Sequence, residues 1–211
     1  MKAPEHNTAF QGRQGTGRDR TGWDNTSDED LALALQNGQE AAFDEMVRRH
    51  QGRVFAVAFR MTGHREDALD VAQEVFLKAY RKIDAWQPSG GFVAWLLRLT
   101  TNQSIDHLRR KKRHRHERFD ETFRPEGGPA VNEPMTDDTA VRVRGGEIAD
   151  RVNEALEVLS PSQRTVFVLR HYEGLPLADI APVLGCTVGS VKVHLFRALK
   201  KLQKELGDLR D

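Results

Sequence analysis

One cysteine, two tyrosines and eight prolines are all that these 211 residues carry of those types, and each scarcity excludes something. Cys186 has no second thiol, so no internal disulfide staples the fold. No uninterrupted apolar run approaches the roughly 20 residues that would span a bilayer. The start, Met-Lys-Ala-Pro-Glu-His, lacks the apolar core of a secretory signal. A soluble, cytoplasmic chain without membrane insertion is therefore expected. Also missing are a phosphate-cradling Gly loop, a nucleophile elbow and a His-Glu metalloprotease motif, so no enzyme activity, catalytic residue or cofactor is expected. His107, His114 and His116 read poorly as a metal site, because the Arg and Lys around them repel a cation and no Cys or carboxylate set accompanies them.

Few aromatics and little β-branched alternation favour helices, and the fold class expected is all-α, in two small domains. The net charge of +1 hides strong clustering. From His107 to His116 only Leu108 interrupts a run of cationic or titratable side chains, and Ile180 to Lys204 holds basic residues with no acidic ones. Two basic segments point to two contacts with a polyanion.

Residues 1–26 have almost no apolar content and read as a disordered leader. The first domain spans 27–115. Ser27, with Asp30 three residues on, caps a helix carrying Leu31, Leu33 and Leu35, and the chain turns near Gly38. A core helix follows over 39–61, carrying Phe43, Met46, Val47, Val54, Phe55, Ala58 and Phe59 at helical intervals. A third, 65–84, puts Ala68, Ala72, Val75, Ala79 and Ile83 on one face and Asp67, Asp70 and Glu74 on another, with Gln73 beside them. After the loop Trp86 to Gly91, a fourth helix runs from Phe92 into the basic tail at Arg115.

Residues 116–146, with Pro125, Pro129, Pro134 and a surplus of Glu and Asp, read as a flexible acidic linker. The second domain, 147–211, opens with Ile148, Val152, Ala155, Leu156 and Leu159 at helical spacing. Ser160-Pro161-Ser162-Gln163 then supplies an N-cap, a first-turn proline and a capping-box glutamine. From Leu177 to Leu202 the pattern is helix, tight turn at Gly185-Cys186-Thr187, helix. Val191, Leu195, Leu199 and Leu202 form the apolar stripe of the second of these, opposite Ser190, Val193, His194, Arg197, Lys201 and Lys204, as a helix entering the major groove requires. Pro182 inside the preceding helix is expected to kink it.

These segments together resemble the extracytoplasmic-function sigma factors, promoter-specificity subunits of bacterial RNA polymerase. Asp67-Ala68-Leu69-Asp70-Val71-Ala72-Gln73-Glu74-Val75-Phe76 is similar to that family's polymerase-binding signature. Phe92 through Asn102, Asp106 and Arg109 resembles its promoter-melting helix, and Leu159 through Arg197 its C-terminal domain. The resemblance implies docking of Asp67, Asp70, Gln73 and Glu74 on the β′ clamp helices of core polymerase, with the β flap as a second contact. It implies −10 capture and melting by Trp86, Gln87, Ser89, Arg98 and Asn102, with phosphate contacts from Arg109, Arg110, Lys112 and Arg113. It assigns −35 reading to Thr187, Ser190, Lys192, Val193, His194, Phe196, Arg197 and Lys201, although family members often carry Ser-Arg where this chain has Val193-His194. An anti-sigma factor is a further implied partner, and the linker would thread toward the RNA exit path, where a plain solvated spacer has the same composition. The residues by themselves leave two other readings open: a dimeric helix-turn-helix regulator that never meets polymerase, and an RNA-binding adaptor using the basic tail.

Overall fold

The computed structural model describes residues 22–119 and 151–207, with side chains up to 114 and again from 151. Every regular element among them is helical. In the first domain α1 (Asp28–Gln36), α2 (Ala41–Thr62), α3 (Arg65–Lys82) and α4 (Phe92–Phe119) pack around one core, with 3₁₀ turns at Ile83–Ala85 and Pro88–Gly90 between α3 and α4. Ser27 Oγ accepts from Asp30 N and starts α1. α2 ends where Gly63 takes φ 78°, a left-handed conformation that suits glycine.

Packing selects a subset of the apolar positions. In α1 the buried residues are Leu31, Ala32 and Leu35, whereas Leu33 is exposed. In α3 they are Ala68, Val71, Val75 and Ala79, so Val71 takes the central place and Ala72 is only partly covered. The inner face of α4 is polar after its first turns: Thr100, Thr101 and Ser104 are buried, and each hydroxyl donates to the carbonyl four residues back, at Leu96, Leu97 and Thr100. Those bonds let a hydroxyl sit in a core without an external partner.

Two expectations change here. Order begins before Ser27, because Trp23 packs on the core and its carbonyl accepts from Arg49, which also bonds the Thr26 carbonyl and pairs with Asp28 and Glu45. The rest of the expected leader, residues 1–21, lies outside the described residues. α4 continues to Phe119, past the expected linker start at 116, and residues 120–150, with Ile148 and the remainder of the linker, are also outside them.

In the second domain residues 151–157 form α5, followed by α6 (Pro161–Phe167), a π-helical turn (Val168–Tyr172), α7 (Leu177–Leu184) and α8 (Val188–Leu206). Ser160 and Gln163 close the full reciprocal capping box that starts α6. α7 runs through Pro182 to Leu184 without a break. The proline forfeits only the bond to the Ala178 carbonyl, and Ala178 is exposed, so water can serve that acceptor. Gly185 at φ 61° makes the tight turn and Thr187 caps α8 by accepting from Ser190 N. α8 buries Val191, Ala198 and Leu202, while Leu199, expected inside, stays 42% exposed.

Candidate nucleic-acid and partner interfaces

With its inner side sealed, α3 offers solvent a continuous outer face. Leu69, Tyr80, Gln73, Leu77, Asp70 and Glu74 follow one another around it, all exposed. The three apolar members are 42–49% exposed and stand beside the amide and carboxylates. Sequence reading had named the polar residues and missed these; the signal available was large apolar side chains lying off the buried stripe. Asp67, expected among the docking residues, borders this face but is instead drawn against α4 and largely covered. Its oxygens meet Lys111 Nζ at 2.6 Å and His107 Nε2 at 3.0 Å, both from α4. Burial pushes the Asp67 carboxyl up, but hydrogen bonds and charge from Lys111 and His107 outweigh it and hold the group below its ordinary value.

The residues expected to meet −10 DNA divide. Gln87, Ser89, Arg98, Asn102, Arg109, Arg110, Lys112 and Arg113 are exposed, and the last six lie along α4. Trp86 is not available: it is 3% exposed and edge-on to Phe92 at 6.0 Å between centroids. The expected −10 contact of Trp86 is therefore corrected to a core role. The physical reason is Gln36, whose Nε2 donates to the Ile83 carbonyl at 2.7 Å and the Trp86 carbonyl at 3.1 Å and draws this segment onto α1. Lys78 on α3 donates to Gln103 of α4, tying the two helices together.

On α8, Lys192, Val193, Phe196 and Arg197 project outward, with Val193 46% and Phe196 68% exposed. Thr187 and Ser190 are occupied with each other, their oxygens 3.1 Å apart at the helix start. His194 is half-buried, with a covered Nδ1 that has no hydrogen-bond partner. Lys201 is exposed but donates to the Val158 carbonyl at 3.1 Å, tying α8 to the end of α5.

The domains also touch each other. Val57, Met61 and Leu97 of the first join Val166, Val168, Leu169, Ile180 and Val191 of the second in one buried cluster. Arg164 Nη1 donates to the Met61 carbonyl at 2.7 Å, Arg53 pairs with Glu173 at 2.5 Å, and Arg60 lies 4.0 Å over the Tyr172 ring. Arg164 is 7% exposed, its Nε and Nη2 have no partner, and burial pushes its guanidinium below its ordinary value, with Glu157 opposing. Orphaned donors of this kind each cost about 1–3 kcal/mol. The seam thus combines a large apolar contact with a costly polar one.

Among the described residues no group of His, Cys, Asp and Glu could hold a metal ion, and no helix is long and apolar enough to cross a membrane. Cys186 is a free thiol, half-buried in the turn before α8.

A helical module with an exposed mixed face and a basic helix, followed by a helix-turn-helix module, is the arrangement expected of a transcription-initiation subunit of the sigma-70 class. The family models bear this out: Sigma-70 region 2 matches residues 46–114 and Sigma-70, region 4 matches 149–202. The RNA polymerase sigma-H factor of Pseudomonas aeruginosa is 33% identical over 186 residues, 86% of this chain and 95% of that one. The ECF RNA polymerase sigma factor SigW of Bacillus subtilis is 31% identical, over 83% of this chain and 94% of that one. Among solved structures, CnrH in complex with the cytosolic domain of CnrY matches with a TM-score of 0.62 and 30% identity, covering 87% of this chain and 99% of that one. The sigma factor RpoE of Bartonella quintana, solved with the anti-sigma factor NepR, shares the fold with a TM-score of 0.61 at 23% identity, over 78% and 96% of the two chains. The chain belongs to the extracytoplasmic-function sigma factors of bacterial RNA polymerase.

Proposed function

We propose that this sigma factor captures core polymerase on the outer face of α3, grips and opens the −10 element with α4 and the loop before it, and reads the −35 element with α8. The observation that carries the reading is the α3 face. Asp70, Gln73 and Glu74 sit on a helix fixed from behind, between exposed Leu69, Leu77 and Tyr80. Carboxylates and an amide there can meet Arg and Asn side chains of the β′ clamp helices in charge-assisted bonds, while the apolar side chains exclude water around them. The β flap would hold the second domain. Gln87 and Ser89 flank the entry to α4, and Arg98 and Asn102 continue the same exposed line toward the phosphate-binding Arg109, Arg110, Lys112 and Arg113.

An extruded base costs a few kcal/mol to unpair, and edge hydrogen bonds can repay it. With Trp86 in the core, polar capture by Gln87 and Ser89 in the loop and by Asn102 on α4 is the chemistry left. On α8, Arg197 is placed to bond a base edge, Lys192 to contact phosphate and Val193 with Phe196 to meet apolar base surface. Sites about 25 base pairs apart are separated by roughly 85 Å at ~3.4 Å per step. A compact body of this size has a radius of gyration of only about 17 Å. The seam must therefore open for one molecule to hold both elements. An anti-sigma factor that keeps the two domains from their sites is a proposed partner, and the cytoplasm, where polymerase works, is the proposed location.

Gln73→Ala combined with Glu74→Ala removes charge-assisted bonds worth about 1.5–3 kcal/mol each. Core-polymerase capture, followed by fluorescence anisotropy, should fall at least about a hundredfold. Arg197→Ala should leave capture intact and weaken one −35 position by about 1–3 kcal/mol. Equal loss of both activities from either change would contradict this division of labour.

A further inference from the structure

Asp67 opens the stretch that resembles the polymerase-binding signature, yet both its oxygens are engaged by α4. Oδ2 accepts from Lys111 Nζ at 2.6 Å, and Oδ1 lies 3.0 Å from His107 Nε2. The carboxylate is 15% exposed, whereas Asp70 and Glu74 are open to solvent. His107 and Lys111 are one helical turn apart, so a single carboxylate clamps successive turns of the basic tail. The Lys111 side chain is itself 53% exposed, so the ion pair and not burial occupies it; Arg110, Lys112 and Arg113 are exposed beside it, on the other sides of the helix.

We infer that Asp67 is a positioning residue: an internal counter-ion that holds the basic tail of α4 against α3 and keeps Lys111 from DNA phosphate. The inference rests on the reading, proposed above, that this tail binds phosphate. A cation already paired inside the protein releases little when DNA arrives, so Lys111 adds little to the salt dependence of binding, while each free arginine adds about 0.9 to the slope of log K against log salt. The charged neighbours thereby have distinct tasks: Arg110, Lys112 and Arg113 attract the backbone, and Lys111 fixes the direction from which they do so.

Duplex binding by the full chain, titrated across salt concentrations, tests this. Arg113→Met should flatten the slope by about one, and Lys111→Met by less than about half of that. Asp67→Asn should steepen the slope by about one and make Lys111→Met as costly as Arg113→Met in its background. Asp67→Asn should also capture core polymerase within about twofold of the native chain, where Glu74→Ala falls about tenfold. The inference is overturned if Lys111→Met flattens the slope as much as Arg113→Met in the native chain, or if Asp67→Asn weakens polymerase capture as Glu74→Ala does. Should Asp67→Asn fail to fold, the comparison of Lys111→Met with Arg113→Met decides alone. If Arg110→Met, Lys111→Met and Arg113→Met all leave the slope unchanged, the tail does not reach phosphate, and that reading falls together with the inference.

Discussion

Cutting Met61 back to alanine is the sharpest probe of the seam between the domains. Met61 is fully buried at the end of α2, its sulfur lies 3.9 Å from Thr165 Oγ1, and its carbonyl receives Arg164 from the second domain. Removing a buried methionine to alanine costs about 2–5 kcal/mol. Val57 and Leu97 of the first domain share the cluster, so part of that cost falls on the first domain itself. Assigning about 2 kcal/mol to the seam, at 1.4 kcal/mol per tenfold, the closed form loses roughly thirtyfold against the open one. Dyes on Ser89→Cys and Gln203→Cys, with Cys186→Ser, report the closed fraction by energy transfer; Ser89 and Gln203 are both exposed, on opposite domains. Met61→Ala should lengthen the mean separation between the dyes. An unchanged separation, with stability lost only from the first domain, would refute the claim that Met61 holds the domains together.

Two further perturbations separate core from interface and test the electrostatics. Trp86→Ala should destabilise the first domain by about 3–5 kcal/mol in thermal or denaturant unfolding, as for any buried aromatic, whereas Trp86→Phe removes an unpartnered Nε1 and should keep promoter opening near the native level. A Trp86→Phe chain that stays folded but loses −10 opening would restore the −10 contact. Glu45 is held at about 2 by hydrogen bonds from Arg48 and Arg49 and by their charges, against an ordinary 4.5. A depressed carboxyl contributes stability that is present above its unfolded value and is lost as pH falls through its folded one. Between about pH 4.5 and 2 the native chain should therefore lose more stability than Glu45→Gln, and parallel pH profiles would contradict the assignment.

What the sequence made legible was mostly local. Ser27, Ser160 and Thr187 announce helix starts because a short side chain and the backbone three residues on settle the cap between them, whatever else the protein does. Gly38, Gly63, Gly174 and Gly185 mark helix ends for the same reason, each with positive φ. The polar face of α3 follows from helical spacing alone. Features that depend on distant partners were not legible. Trp86 looked like a loop residue until Gln36, about fifty positions away, pulled its backbone inward. Asp67 looked like one more exposed acid until α4 brought Lys111 and His107 alongside. Nothing in the spacing around Arg164 marks it as buried, yet it is 7% exposed and bonds the Met61 carbonyl across the seam. The threonines and serine inside α4 break the apolar pattern because bonds within the helix satisfy them.

The central claim is that this chain directs polymerase to a start site and opens it there. Mixing the purified protein with core polymerase and a duplex carrying a promoter it serves, then mapping unpaired thymines with permanganate, tests it most directly. Reactive thymines should appear across the −10 element only when both proteins are present, and should vanish with Gln73→Ala and Glu74→Ala together. Tight duplex binding with no unpaired thymines, whether or not polymerase is added, would contradict the account.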